Sequence, residues 1–135
     1  MEICYCCSGK TFANCCQPFL VGTAKPPTAE SLMRSRFSAY AVINVEYLVK
    51  SNHPSTRKFH DREAIELWAK SNVWQKLEVI STVKGEPKDI EGIVEFKAFF
   101  LNHKSNPQVH HEISNFKKEL GKWFYVDGKI LETAK

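Results

Sequence analysis

From Ala29 onward the apolar residues recur at helical spacing, with Ala29, Leu32, Met33, Phe37, Tyr40 and Ala41 on one stripe. Thr28 is placed to cap this helix, and Glu30 falls in the first turn, where the helix dipole favours an anion. The pattern predicts a helix to about Asn44, a break before Tyr47 and Leu48, and an end at His53-Pro54. A second helix is predicted from a cap at Asp61 through Asn72, with Ala64, Ile65 and Trp68 sharing a face. At Trp74 the period changes from helical to alternating. Leu77, Val79 and Val83 are expected on one side of a strand, with Glu78, Thr82 and Lys84 mostly on the other. A second strand over 90–101 carries Val94, Phe96, Ala98 and Phe100 on one face, and a third covers 109–118. A fourth runs through Trp123 and Tyr125, and Asp127-Gly128 reads as a tight turn into Ile130-Leu131. Helices first and consecutive strands afterwards predict an α+β fold, with the helices on one face of an antiparallel sheet.

Ahead of this region the pattern is different. Residues 19–28, containing Gly22, Pro26 and Pro27, predict a stiff connector. Before it stand Cys4, Cys6, Cys7, Cys15 and Cys16, and no other cysteine occurs in the chain. A Cys-x-Cys pair and an adjacent pair are poorly suited to bridging within themselves, because a disulfide needs a set separation and orientation of its Cα atoms. Bridges between the pairs, or free thiols, stay open as alternatives. Tetrahedral Zn²⁺ explains the spacing better: two short-spaced pairs brought together by a turn at Ser8-Gly9-Lys10 supply four thiolates, with Cys7 the odd one out. The expected division is a zinc-binding region over 1–20 and an α+β domain over 21–135, the latter with its own hydrophobic core.

Composition narrows the picture further. A chain of 135 residues, 43% hydrophobic and 12% aromatic, supports one packed core beside a metal-stapled arm. No basic segment precedes an apolar run and no stretch approaches a membrane span, so the expectation is a soluble, unprocessed protein with no membrane contact. Five cysteines without a secretion signal fit the cytoplasm. The formal charge of +4, with the local −2 of four thiolates around one Zn²⁺, leaves about +2. The basic residues are scattered rather than striped, which argues against a nucleic-acid partner. Phosphate-binding loops, dinucleotide fingerprints and nucleophile elbows are absent from the sequence, so those enzyme classes lack support.

The order Cys4-Tyr5-Cys6-Cys7-Ser8-Gly9-Lys10-Thr11-Phe12-Ala13-Asn14-Cys15-Cys16 resembles the SEC-C motif, Cys-Pro-Cys-Gly-Ser-Gly-Lys-x-aromatic-x-x-Cys-Cys/His, a zinc element also found in the preprotein translocase ATPase. The run from Lys25 to Tyr40, the stretch from His53 to Arg57 and the segment from Lys122 to Gly128 resemble a bacterial family of unassigned activity, the YchJ type. The resemblance implies a cone of helices on a curved antiparallel sheet, of the nuclear-transport-factor-two-like (cystatin-like) kind, behind an N-terminal zinc knuckle. It also implies one structural Zn²⁺ on Cys4, Cys6, Cys15 and Cys16. Cys7 and Tyr5 stand where the motif has glycine and proline, which predicts a less relaxed turn.

Outside the cysteines, Arg36 is the most informative polar residue, because it lies near the centre of the apolar stripe. It is expected to pair with a strand carboxylate, Glu95, Glu112 or Asp127, or else to line a cavity in the cone. Tyr40, His53, Arg57 and His111 complete the pocket candidates. His53 and Arg57 follow a helix end, where capping and turning is the simpler role. His110 and His111 must point to opposite faces of a strand. The resemblance places His111 at a histidine of the relatives' His-Glu pair. The aromatic residues Trp68, Trp74, Trp123 and Tyr125 read first as core. Two functions follow: a zinc-binding adaptor, with the knuckle offering a protein-binding surface and the cone as scaffold or ligand holder, or a small non-metallo enzyme acting on a small anionic substrate in the cone.

Overall fold

The longest helix starts where it does because its first turn is capped from both sides. In the computed structural model, which describes residues 2–131, Thr28 Oγ1 accepts the Ser31 N–H and Ser31 Oγ accepts the Thr28 N–H, each at 3.0 Å. This reciprocal box satisfies donors that a helix start leaves orphaned. In chain order, a 3-10 turn at Phe12–Asn14 leads to α1 (Gln17–Val21), α2 (Ala29–Val42) and α3 (Val45–Lys50). A second 3-10 turn at Arg57–Phe59 precedes α4 (Arg62–Ser71), and then come β1 (Val73–Lys84), β2 (Glu91–Leu101), β3 (Pro107–Glu119) and β4 (Lys122–Leu131). The expected break after α2 lies at Ile43, in the left-handed region at φ 60°; the Asn44 side chain then caps α3. Asp61 caps α4, which stops before Asn72. Part of the predicted connector is the short helix α1.

The strands pair in sequence order and antiparallel throughout. Alternation puts Val94, Phe96 and Ala98 of β2 with Phe116 of β3 and Trp123 of β4 on the inner face, against Leu32, Met33 and Phe37 of α2. Trp123 Nε1 donates to the Pro27 carbonyl at 3.1 Å, pinning the entry to α2 onto the sheet. This is the helices-on-sheet α+β layering expected from the periodicities. No helix among the described residues is long and apolar enough to cross a membrane.

Two local expectations are corrected. In β1 the register slips between Val79 and Ser81, so Thr82 falls opposite inward-facing Val94 while Val83 pairs with Ile93 on the outer face and is 54% exposed. Strict alternation had put Val83 with Leu77, and the bulge reverses the phase. Second, Asp127-Gly128 is not a turn: β4 continues through it, with Gly128 opposite Ser114. A Cβ at Gly128 would overlap the Glu112 carboxylate, so this glycine marks a close approach rather than a bend.

The cysteine region is packed into the same core. Cys4, Cys6 and Cys16 are buried in one cluster with Leu32, Met33 and Phe37, and the core is continuous past residue 20. Residues 1 and 132–135, at the two ends of the predicted regions, lie outside the described residues.

Candidate metal centre

The loop that gathers the cysteines is built from short backbone contacts. The Cys4 N–H donates to the Lys10 carbonyl at 2.8 Å, the Cys7 N–H to the Cys4 carbonyl at 3.2 Å, and Ile3 bridges Thr11. Two left-handed residues close the turn, Gly9 at φ 89° and Cys7 at φ 66°. The second is where the motif carries glycine, and a side chain there costs about 1–2 kcal/mol. The 3-10 turn then delivers Cys15, and Cys16 stands at the N-cap of α1.

The four sulfurs of Cys4, Cys6, Cys15 and Cys16 all lie within 4.8 Å of one another. Cys6 and Cys15 are 3.6 Å apart and Cys15 and Cys16 3.9 Å. A tetrahedral zinc-thiolate centre with bonds of about 2.3 Å has sulfur-sulfur edges of about 3.8 Å. The donor set therefore fits a metal ion of that kind, and it is the set expected from the spacing. Cys7 stands apart, exposed, with its thiol directed at the Tyr5 carbonyl.

Crowding gives these sulfurs unequal proton affinities. Hydrogen bonding from the Cys16 thiol, working against burial and aided by Ser8 and Cys4, draws Cys6 down to about 4. The same bond and burial push Cys16 far up, and burial raises Cys15. A cation bound among them would displace the protons that such sulfurs hold. Residues that the sequence did not assign to contact with the sulfurs surround the set. Ser8 Oγ lies 3.1 Å from the Cys15 sulfur, and Ser38 Oγ on α2 lies 3.5 Å from that of Cys4. Arg34 donates to the Cys6 carbonyl at 2.8 Å through Nη1 and to Glu30 at 2.9 Å through Nε, placing a cation beside the thiolates. Arg34 and Ser38 are four apart on one helix face, a spacing visible in the sequence once α2 is known to carry the knuckle. A groove of about 490 Å³ runs beside Cys15 and Cys16, between the knuckle, the start of α2 and the β1-β2 turn, and is lined by Lys10, Phe19, Arg34 and Lys84.

The pocket candidates do not form one group. Arg36 and Tyr40 line a cavity of about 60 Å³ in the cone, with Trp68, Trp74 and Tyr125 among its walls. The expected ion pair of Arg36 is not formed: its Nη1 donates to the Leu48 carbonyl at 3.0 Å and to Ser51 Oγ, and its Cζ lies 4.5 Å from the centre of the Tyr125 ring. These partners sit at the end of α3 and on an aromatic face, which charge matching along the sequence does not see. The inward histidine is His110, bonded to Glu112 at 2.7 Å; His111 lies on the outer face with Glu95, also at 2.7 Å. Ser114 and Tyr125 add hydrogen bonds to Glu112. Burial would raise the Glu112 carboxyl, but the three donors outweigh it and hold the group below the ordinary range. His53 and Arg57 clamp a loop. The His53 N–H donates to the Tyr125 carbonyl, its ring meets Ser55 and Glu119, and Arg57 donates to the carbonyls of Lys50 and Asn52.

Comparison with known proteins bears on both regions. Residues 28–128 match the family described as YchJ, middle NTF2-like domain. A UPF0225 protein of Photorhabdus laumondii is 46% identical over 128 residues, covering 94% of this chain and 80% of the relative. One from Geobacter sulfurreducens is 38% identical over 127 residues, covering 94% and 78%. The solution structure of a SEC-C motif containing protein from Rhodopseudomonas palustris superimposes with a TM-score of 0.87 at 35% identity, over 96% of this chain and 98% of that one. The crystal structure of a SEC-C motif containing protein from Psychrobacter arcticus gives 0.77 at 33% identity, over 95% and 77%.

Proposed function

The chain belongs to the YchJ family, and from that premise we propose that it is a zinc-carrying interaction module of the cytoplasm. Its cysteine knuckle holds one structural Zn²⁺ and offers a surface to a protein partner, and the cone is the scaffold that holds the knuckle in place. The observation that carries this reading is the set of four cysteine sulfurs within 4.8 Å of one another. With four thiolates the ion has no open position for a water, so it shapes a surface instead of performing hydrolysis. Thiolate softness favours zinc over the hard divalent cations, and a reducing compartment keeps the ligands available. Around the centre, Ile3, Tyr5 and Val21 are exposed, and the groove combines Phe19 with a charged rim, the makings of an apolar anchor point with polar surroundings.

The metal half of the proposal is tested by elemental analysis with thiol counting on freshly purified protein. One zinc per chain is expected, lost in Cys4→Ser and Cys15→Ser and kept in Cys7→Ser; metal loss in the Cys7 variant would overturn the ligand set. The partner half is tested by affinity capture from a bacterial lysate with wild-type, Lys10→Glu/Phe19→Ala and Tyr40→Phe baits. A protein retained by wild-type and Tyr40→Phe but lost from the groove variant and after chelation supports the reading. Equal retention by all baits would remove the knuckle from recognition.

A further inference from the structure

The cone cavity is separate from the cysteine centre and its groove. Arg36 is only 6% exposed, yet its neighbours satisfy one end of the guanidinium alone. Nη1 has the Leu48 carbonyl and Ser51 hydroxyl, while Nε and Nη2 have no acceptor among the described residues. Glu112, the acid lining the same cavity, is already engaged: Oε1 with His110, Oε2 with Ser114 and Tyr125. The hydrogen bonds of this guanidinium go to neutral groups only, so its charge has no anion against it, and Arg36 lines the cavity. Tyr40 supplies a second unpartnered group there. Its hydroxyl has no hydrogen-bond partner among the described residues, and burial raises the phenol, which keeps it a donor. Trp68 and Trp74 present apolar walls.

We propose that this cavity binds a small monocarboxylate, whose oxygens accept from Arg36 and Tyr40 and whose short apolar end rests against Trp68 and Trp74. The parallel Nε and Nη2 donors match the two oxygens of a planar carboxylate, which a guanidinium binds as a fork. Phosphate fits less well: it carries more charge toward Glu112, and the indole walls offer its remaining oxygens few donors. Size sets the second limit. A single water takes about 10–15 Å³ on this measure, so a cavity of about 60 Å³ admits a molecule of about five heavy atoms. Propionate is of that size.

The test titrates the zinc-loaded, full-length protein with sodium propionate at constant ionic strength, read by calorimetry and tryptophan fluorescence, with propionamide and inorganic phosphate as parallel titrants. Saturable binding of one propionate per chain is expected, with the amide and phosphate weaker by roughly tenfold or more, as loss of a charge-assisted pair implies. Tyr40→Phe, which keeps the ring, should weaken propionate roughly fivefold to tenfold by removing one donor. Arg36→Gln should abolish binding; where that variant does not fold, Tyr40→Phe and the amide decide. The proposal is overturned by the absence of saturable propionate binding, by amide or phosphate binding as tightly as propionate, or by Tyr40→Phe leaving the affinity unchanged.

Discussion

Glu112 shows how a single buried charge is made tolerable. Its two oxygens accept from His110, Ser114 and Tyr125, and these bonds overcome the burial that would otherwise protonate it. Because its folded-state value is depressed, the stability it contributes is present above the ordinary carboxyl value of 4.5 and is lost as the pH falls through the lowered one. Glu112→Gln should therefore melt below wild-type at pH 7, and the gap should close as the pH falls from 4.5 through the lowered value. Thermal melts of both proteins across that range check this, and a gap of constant size would mean that the carboxylate charge contributes nothing. The residues around it mark what a sequence reading reaches and what it does not. Periodicity puts Arg36 on the buried stripe, and it is buried; its partners, a carbonyl, a hydroxyl and an aromatic ring, carry no charge and so leave no trace in charge matching. Alternation says that His110 and His111 face opposite ways, but choosing the inward one needs the β2-β3 register, which sets His110 against Ala98 and Glu112 against Phe96.

At the scale of elements, caps and periods were legible because they are local. Thr28 and Asp61 each cap the helix that follows, as expected, while Asn44, read as the end of the first helix, caps α3; the change to alternation at Trp74 marks the start of the sheet to within a residue. The errors lie where one strand depends on another. The slip after Val79 turns Val83 outward, and Gly128, a turn signal beside Asp127, is instead the place where β4 makes room for the Glu112 side chain. That second reading has a direct consequence. In a true turn, Gly128→Ala would be tolerated or costly only through backbone freedom; in mid-strand it drives a methyl into a hydrogen-bonded carboxylate. We expect a loss of about 1–3 kcal/mol, as for overpacking a filled site, measured by denaturant unfolding. Restoring space with Glu112→Ala should recover part of the loss in a double-mutant cycle. Purely additive losses would show that the two positions do not touch.

For the molecule as a whole, the cysteine spacing announced a metal site, yet nothing in it revealed that the site is bolted to the helix layer. Cys4, Cys6 and Cys16 are buried with Leu32, Met33 and Phe37, Ser38 approaches the Cys4 sulfur, and Arg34 holds the Cys6 carbonyl, so α2 contacts the sheet with one face and the knuckle with another. With no ion among them, the buried sulfurs share one cramped space, and protonating or charging them there disturbs the helix they rest on. Chelation should then do more than release the first twenty residues. Hydrogen exchange on the chelated protein is expected to show protection lost in the knuckle and along the Glu30–Ser38 face of α2, while the paired amides of β2 and β3 stay protected. The melting temperature should fall by about 10 °C or more, because the free energy of metal binding is also free energy of folding. Loss confined to the knuckle, with α2 protection and the melting temperature unchanged, would show that the cone stands without it and that the packing of three cysteines into its core carries no weight.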